Sequence, residues 1–150
     1  MLYRLYRPDD FSKLYAIEQA CFQPPFRFSS RYMHKLIDGP GSATWIAEED
    51  ARMTGFTVAG WSLESNQSIA YIHTLEVAPG ERRRGIAREL LCRIEGSAID
   101  AGARAIWLHV DEANTAAIRL YESHGYLVQG READFYAKGM PALIYGRSLA

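Results

Sequence analysis

Apolar positions along this chain recur with a period near two in some stretches and near three and a half in others, and their alternation sets out the elements. The strongest strand signal is AYIHTLEV, residues 70–77, rich in β-branched and aromatic side chains. Ile86, Ala87, Leu90, Leu91 and Ile94 follow it, spaced three and four apart as on one face of an amphipathic helix. Around this pair the same reading predicts a strand over residues 2–7 and a helix from the Pro8-Asp9-Asp10 turn to about Cys21. Residues 21–28 (CFQPPFRF) form a loop, because Pro24 and Pro25 forbid helix continuation. A second helix runs from the Ser29-Ser30 cap to about Ile37, where Gly39-Pro40-Gly41 stops it. Residues 43–48 and 54–63 read as hairpin strands ahead of a central strand over 69–77. A helix over 84–101 closes at Gly102, where a left-handed cap is expected. A strand over 106–110, a helix over 115–124 between Asn114 and Gly125, and two terminal strands complete the order. This alternation predicts an α/β (α+β) fold, a mixed sheet with helices covering both faces.

The join between the central strand and its helix, residues 77–91 (VAPGERRRGIARELL), carries the first chemistry. A strand that breaks into a glycine-bearing basic loop at a helix N-terminus aims several backbone N–H groups at one place, with Arg82, Arg83 and Arg84 around the rim. Such a cradle suits an anion, a pyrophosphate above all. Gly85 lets the backbone approach a ligand where a Cβ would intrude. The segment has neither the lysine and Ser/Thr of GxxxxGK[ST] nor GxGxxG, so neither an NTPase loop nor a dinucleotide fingerprint is supported. A basic run is also what a solvated turn looks like, so the loop gains its weight from what surrounds it.

Composition narrows the classes further. The 150 residues match one domain, 1–150, and 48% apolar content sustains a core. A net charge of −1 gives no global pull toward nucleic acid or an anionic membrane, so any attraction to an anion is local. Two cysteines, Cys21 and Cys92, make no disulfide framework and no metal site, and they read as reduced thiols in a cytoplasmic protein. With no basic-then-apolar leader and no apolar run near membrane-spanning length, neither secretion nor spanning is expected.

The pattern Arg82-x-x-Gly85-x-Ala87 after a strand resembles the [Q/R]-x-x-G-x-[G/A] loop of the GNAT superfamily of acyl-CoA-dependent N-acyltransferases. Residues 114–126 (NTAAIRLYESHGY) resemble that family's downstream helix, N-x-x-A-x-x-L-Y-x-x-x-G-[F/Y], and the two blocks lie in the right order. The resemblance covers roughly residues 2–149 and is strongest to protein Nα-acetyltransferases, both the bacterial ribosomal-protein alanine type and the eukaryotic NatE-type catalytic chain. It implies the GNAT fold, a mixed, mostly antiparallel sheet of about seven strands with four helices on both faces. It also implies acetyl transfer from acetyl-CoA to an amine by direct attack in a ternary complex. Residues 82–87, Ile86 and Ala87 included, would hold the pyrophosphate. The pantetheine arm would run between two splayed strands, 71–77 and 106–110, against the backbone of Leu75 and Val77, where an N–H would face the thioester oxygen. Asn114 would contact the cofactor as well as cap its helix, and Tyr121, also at the cofactor, would be the general acid that protonates the departing thiolate.

The base is where the chain departs from the bacterial group, which usually carries glutamate in the strand before this asparagine. Here WLHVDEAN places His109 at that position. NatE-type chains also carry histidine there and pair it with a tyrosine in a YIMTL-like strand, which Tyr71 of YIHTL matches. Tyr71 and His109 are therefore the expected deprotonation pair, since a neutral imidazole with an ordinary pKa of about 6.5 accepts a proton near neutral pH. His73 and Glu76 are rivals. Strand alternation puts His73 on the face of Tyr71 and Glu76 on the opposite one, unless a bulge intervenes.

For the acceptor, residues 21–28 resemble the loop that walls its first residue, with Phe22, Pro24 and Phe26 as the apolar wall. Tyr136, beside Phe135 between the last two strands, matches tyrosines that bond a peptide backbone. Together they imply a protein or peptide N-terminus as acceptor, in a monomer or weak dimer without nucleic-acid or membrane partners. A GNAT acting on a small-molecule amine is the enzyme alternative. A non-catalytic acyl-CoA-binding module is the other, against which Tyr121, Tyr71 and His109 speak, since binding alone needs only the loop and the groove.

Overall fold

A computed structural model of the chain describes residues 1–64 and 66–150, Glu64 through its backbone alone. The elements run β1 (Leu2–Leu5), α1 (Phe11–Cys21), α2 (Ser30–Asp38), β2 (Ser42–Glu49), β3 (Arg52–Glu64), β4 (Gln67–Val77), α3 (Ile86–Asp100), β5 (Ala103–Asp111), α4 (Thr115–Ser123), β6 (Leu127–Ala137) and β7 (Met140–Ser148). The seven strands form one sheet in the order β1-β2-β3-β4-β5-β7-β6. Every pair is antiparallel except β4–β5, whose parallel course follows from the crossover through α3.

Both faces are covered. Leu14 and Ile17 of α1 and Met33 of α2 pack on Ile46, Phe56 and Val58. On the other face Leu91, Ile94 and Ala98 of α3 and Tyr121 of α4 pack on Ala59, Ala70, Ile72, Ile106 and Leu108. A strand buried on both sides must be apolar at consecutive positions, which is why β4 reads as a run rather than a clean alternation.

Three departures from the expected elements bear on function. Helix α3 begins at Ile86, not Arg84, because Arg83 (φ 67°) and Gly85 (φ 79°) both take left-handed backbone, which a right-handed helix cannot include. Phe135 and Tyr136 lie within β6 rather than in the connection to β7.

The third is a β-bulge in β4. Val58 pairs with Thr74 and Ala59 with Ile72, so His73 is an extra residue in the ladder. It inverts the alternation. Ala70 and Ile72 pack toward α3, and after the bulge so do Leu75 and Val77. Thr74 and Glu76, paired with Val58 and Phe56, thereby join Tyr71 on the α1–α2 face. Glu76 is on the side that unbroken alternation denies it.

Candidate active site

The parallel pair β4–β5 runs from Ser68↔Ala103 only as far as Ile72↔Leu108, although the strands continue to Val77 and Asp111. Beyond that point they splay, and a cleft of about 720 Å³ opens through the sheet. Backbone polar groups on facing strand edges need partners, so such a gap suits an extended ligand that adds itself as a strand. Thr74, Leu75 and Val110 line it, with Asn114 and Tyr121 from the α4 side and Tyr71 and His109 from the α1–α2 side. Val77 stands just beyond, its carbonyl accepting from Arg82 Nε at 3.2 Å and from Cys21 Sγ at 3.4 Å.

At the head of α3 the loop forms a concave run of donors. Among the described residues nothing accepts from the backbone N–H groups of Arg84, Gly85, Ile86 or Ala87. A Cβ built on Gly85 would meet no atom within 4 Å, so the space before the loop is open. The three arginines divide their work. Arg84 is drawn away by Glu49 (2.6 Å) and Glu81 (3.2 Å), and Arg82 Nη2 lies against Cys21 Sγ at 3.5 Å. Arg83 has no side-chain partner among the described residues and is exposed. Free N–H groups, open space and one uncommitted guanidinium fit a pyrophosphate.

On the other side of the gap, Tyr71 Oη lies 2.6 Å from His109 Nδ1 and His109 Nε2 lies 3.0 Å from Glu132 Oε1. A carboxylate can only accept, so Nε2 carries the hydrogen, Nδ1 is the acceptor, and the Tyr71 hydroxyl donates to it. Burial pushes the Tyr71 phenol up to about 12, so at neutral pH it keeps its proton unless it passes it on. Burial also raises the Tyr121 phenol well above its ordinary value. Its hydroxyl has no hydrogen-bond partner among the described residues and faces the cleft, as a proton donor to a leaving group should. Asn114 Oδ1 accepts from Ala117 N at 3.2 Å, capping α4 at the cleft's rim. His73 is largely buried, and burial lowers its pKa.

The end of the cleft nearest residues 21–28 and β6 is aromatic. Phe22 and Phe26 line the cleft, and Phe26 meets Tyr136 with ring centroids 4.7 Å apart. Pro24 does not line it: it sits exposed in a turn closed by Phe26 N donating to Gln23 O at 2.9 Å, and Pro25 faces the cleft instead. Tyr136 reaches the site because β6 and β7 lose register between Glu132↔Ala142 and Ala137↔Met140, so residues 133–136 bow outward. Asp134, at φ 59°, pins the bow by accepting from Gly139 N at 2.5 Å. Phe135 on the same bow stacks on His109 at 3.9 Å.

Two groups, Glu132 and Glu18, escaped the sequence reading. Glu132 lies two strands from His109, with no local motif to mark it. Glu18 of α1 and Glu76 are fully buried beneath the cleft, at 0% and 3% exposure, and burial followed by the neighbouring Glu18 pushes the Glu76 carboxyl far up. The period of α1 marks Glu18 only as a polar residue on an apolar face.

Comparison with known proteins gives the same picture. The acetyltransferase (GNAT) family matches over residues 11–126. NAA10 of Arabidopsis thaliana, catalytic subunit of the N-terminal acetyltransferase A complex, is 28% identical over 137 residues, 89% of this chain and 70% of that protein. Streptothricin acetyltransferase of Streptomyces lavendulae is 34% identical over 96 residues, 63% of this chain, and the chain spans 50% of its length. Among solved structures, Arabidopsis thaliana NAA60 in complex with acetyl-CoA has a TM-score of 0.87 at 23% identity, over 99% of this chain and 98% of that one. A family match running from α1 through α4, on a sheet that follows the same plan from end to end, leaves one assignment: the chain belongs to the acetyltransferase (GNAT) family of N-acetyltransferases.

Proposed function

We propose that this chain transfers the acetyl group of acetyl-CoA to the α-amine of a protein or peptide N-terminus. The observation that carries the reading is the hydrogen bond between Tyr71 and His109 at the acceptor end of the cleft, between two aromatic walls. When bound, acetyl-CoA supplies the thioester whose carbonyl carbon the amine attacks. Tyr71 takes the amine's proton at Oη while giving its own to His109 Nδ1, a concerted passage that suits a phenol whose own ionisation is too weak for it to wait as an anion. Tyr121 donates its hydroxyl proton to the departing sulfur. Arg83 and the free N–H groups of residues 84–87 hold the pyrophosphate, and the stretch of β4 through Leu75 to Val77, which β5 no longer pairs, holds the pantetheine arm.

The aromatic walls, Phe22 and Phe26 with Tyr136 opposite, favour a chain terminus over a mid-chain lysine, whose flanking backbone would have to run across both of them. NAA10 is a catalytic subunit of an N-terminal acetyltransferase complex, which supports the same acceptor class. Streptothricin acetyltransferase supports the second reading, a small-molecule amine. Mass-spectrometric detection of acetyl transfer to a mixture of free N-terminal peptides, internal lysines, polyamines and aminoglycosides decides between them. Product confined to α-amines is expected, and acetylated small amines beside untouched peptides would reverse the proposal.

Tyr136 has no hydroxyl partner among the described residues, which leaves it free for a peptide carbonyl. Tyr136→Phe is expected to raise KM for a peptide roughly three- to tenfold, the worth of one neutral hydrogen bond, with KM for acetyl-CoA unchanged. Equal increases in both constants would count against a place at the acceptor.

A further inference from the structure

We infer that Glu132, on β6, is the positioning residue that keeps His109 ready to receive the proton leaving through Tyr71, an inference that rests on the proton route proposed above. Glu132 is the last residue of β6 in register with β7 before the outward bow, so its backbone is held by the ladder just where the next four residues are released. Strand β7 separates it from β5, where His109 pairs with Ile144 and Asp111 with Ala142. Ala142 is also the partner of Glu132. The strand between them thus carries only a methyl group at this register, and the long glutamate side chain reaches past it to place Oε1 3.0 Å from Nε2.

The consequence lies in the tautomer. Imidazole has one hydrogen to place when neutral, and a ring free to choose puts it on either nitrogen. Nδ1–H facing Tyr71 would present a donor to a donor and block the passage. The Glu132 carboxylate accepts from Nε2 and so reserves the Nδ1 lone pair for the phenol. Once the proton has arrived, the imidazolium is bonded at both nitrogens, and the carboxylate offsets its charge. The side chain of His109 is 8% exposed and that of Glu132 49%, so the far end of the chain opens to water, where the proton can leave. Phe135 stacked on the ring prevents it from turning away. The other titratable groups at this face are His73 on β4, Asp111 on β5, Tyr32 on α2, Tyr136 on the bow and, deeper, the Glu18–Glu76 pair. The hydrogen bonds of His109 run to Tyr71 and Glu132 alone among the described residues.

The test uses Glu132→Gln in the intact protein. In 15N NMR of the histidine ring, the wild-type chain is expected to show the Nε2–H tautomer. The variant is expected to shift toward Nδ1–H, because an amide can donate to Nε2 and a carboxylate cannot. In steady-state assays the variant is expected to lose about tenfold or more in kcat with KM for the acceptor little changed. Glu132→Asp, which keeps the charge on a shorter arm, is expected to restore part of the wild-type tautomer. An unchanged tautomer, whatever the rate, overturns the inference. Tyr71→Phe separates this failure from failure of the proton route. Normal turnover in Tyr71→Phe overturns the route itself, whereas a slow Tyr71→Phe beside a silent Glu132→Gln overturns the role of Glu132 alone.

Discussion

Tyr121→Phe is expected to lower kcat by a factor of about 10² to 10⁴ while leaving the affinity for acetyl-CoA almost untouched. Only a hydroxyl is removed, and that hydroxyl bonds to nothing among the described residues, so the buried ring keeps its contacts with α3 and with Tyr126. Stability therefore changes little, and the loss reports on chemistry. The defect has a signature in pH. A thiol of ordinary pKa, about 8 to 9, leaves as a stable anion in alkaline solution and needs its proton less there. The gap between wild-type and variant turnover is therefore expected to narrow as pH rises above that range. Stopped-flow or coupled-thiol assays across pH 6 to about 10 measure it. Unchanged turnover at neutral pH would remove Tyr121 from the mechanism.

Glu76→Gln is expected to stabilise the protein at pH 8 and to do little at pH 5. Glu18 Oε2 accepts from Phe28 N at 2.9 Å, and Glu76 Oε2 accepts from Thr74 Oγ1 at 2.5 Å. The remaining oxygen of each carboxyl has no other partner among the described residues, and the two groups lie against each other. Two charges cannot sit side by side in so dry a place. Burial first, and then the neighbouring Glu18, favours the protonated form of the Glu76 carboxyl, which is why its pKa is raised. The sign follows from linkage. Below the ordinary glutamate value of 4.5 both folded and unfolded chains hold this proton, and the folded state's stability is undiminished. Above it the unfolded chain releases the proton and the folded one retains it, so stability falls steadily until the raised pKa is passed. Glutamine fills the same space with no proton to surrender. The gain at pH 8 is about 1–4 kcal/mol, because each pH unit over which only the folded chain holds the proton lowers wild-type stability by about 1.4 kcal/mol. For a chain of this length that is roughly 2–4 °C in Tm for each kcal/mol. Thermal denaturation of both proteins at the two pH values measures it. An equal loss of stability at both would show that Glu76 is an ordinary packing residue.

What could be read from the sequence, and what could not, divides along a physical line. Element identity is local: β-branched runs, three-and-four spacing, and glycines at Gly85, Gly102 and Gly125 that take the left-handed backbone their positions need. Those features gave the order of strands and helices and the glycine-bearing basic loop at the head of α3. Tyr71 and His109 came from motif positions, and their 2.6 Å contact agrees with that pairing. Register is not local. One residue inserted at His73 turns Glu76 to the other face, and AYIHTLEV cannot reveal it because both faces of β4 are buried. Glu132 was missed for a related reason. It lies 23 residues beyond His109, and only the sheet order, with β7 between β5 and β6, brings them together. Pro24 was a near miss, since a turn exchanges inside for outside within one residue.

The bow in β6 separates two inheritances within one fold. The donor's share of the cleft is built from β4, the head of α3 and α4, which are tied into the central ladder and the largest core cluster. The share proposed for the acceptor hangs from residues 133–136 and from the loop before α2, stretches whose backbone is excused from the ladder. If the proposed acceptor site is right, a substitution or an added residue in the bow is expected to alter which amine is recognised without disturbing how the acyl donor is held. Diversification of substrate range can therefore proceed by editing the periphery, and libraries confined to those two segments are the economical place to evolve a new acceptor on this scaffold.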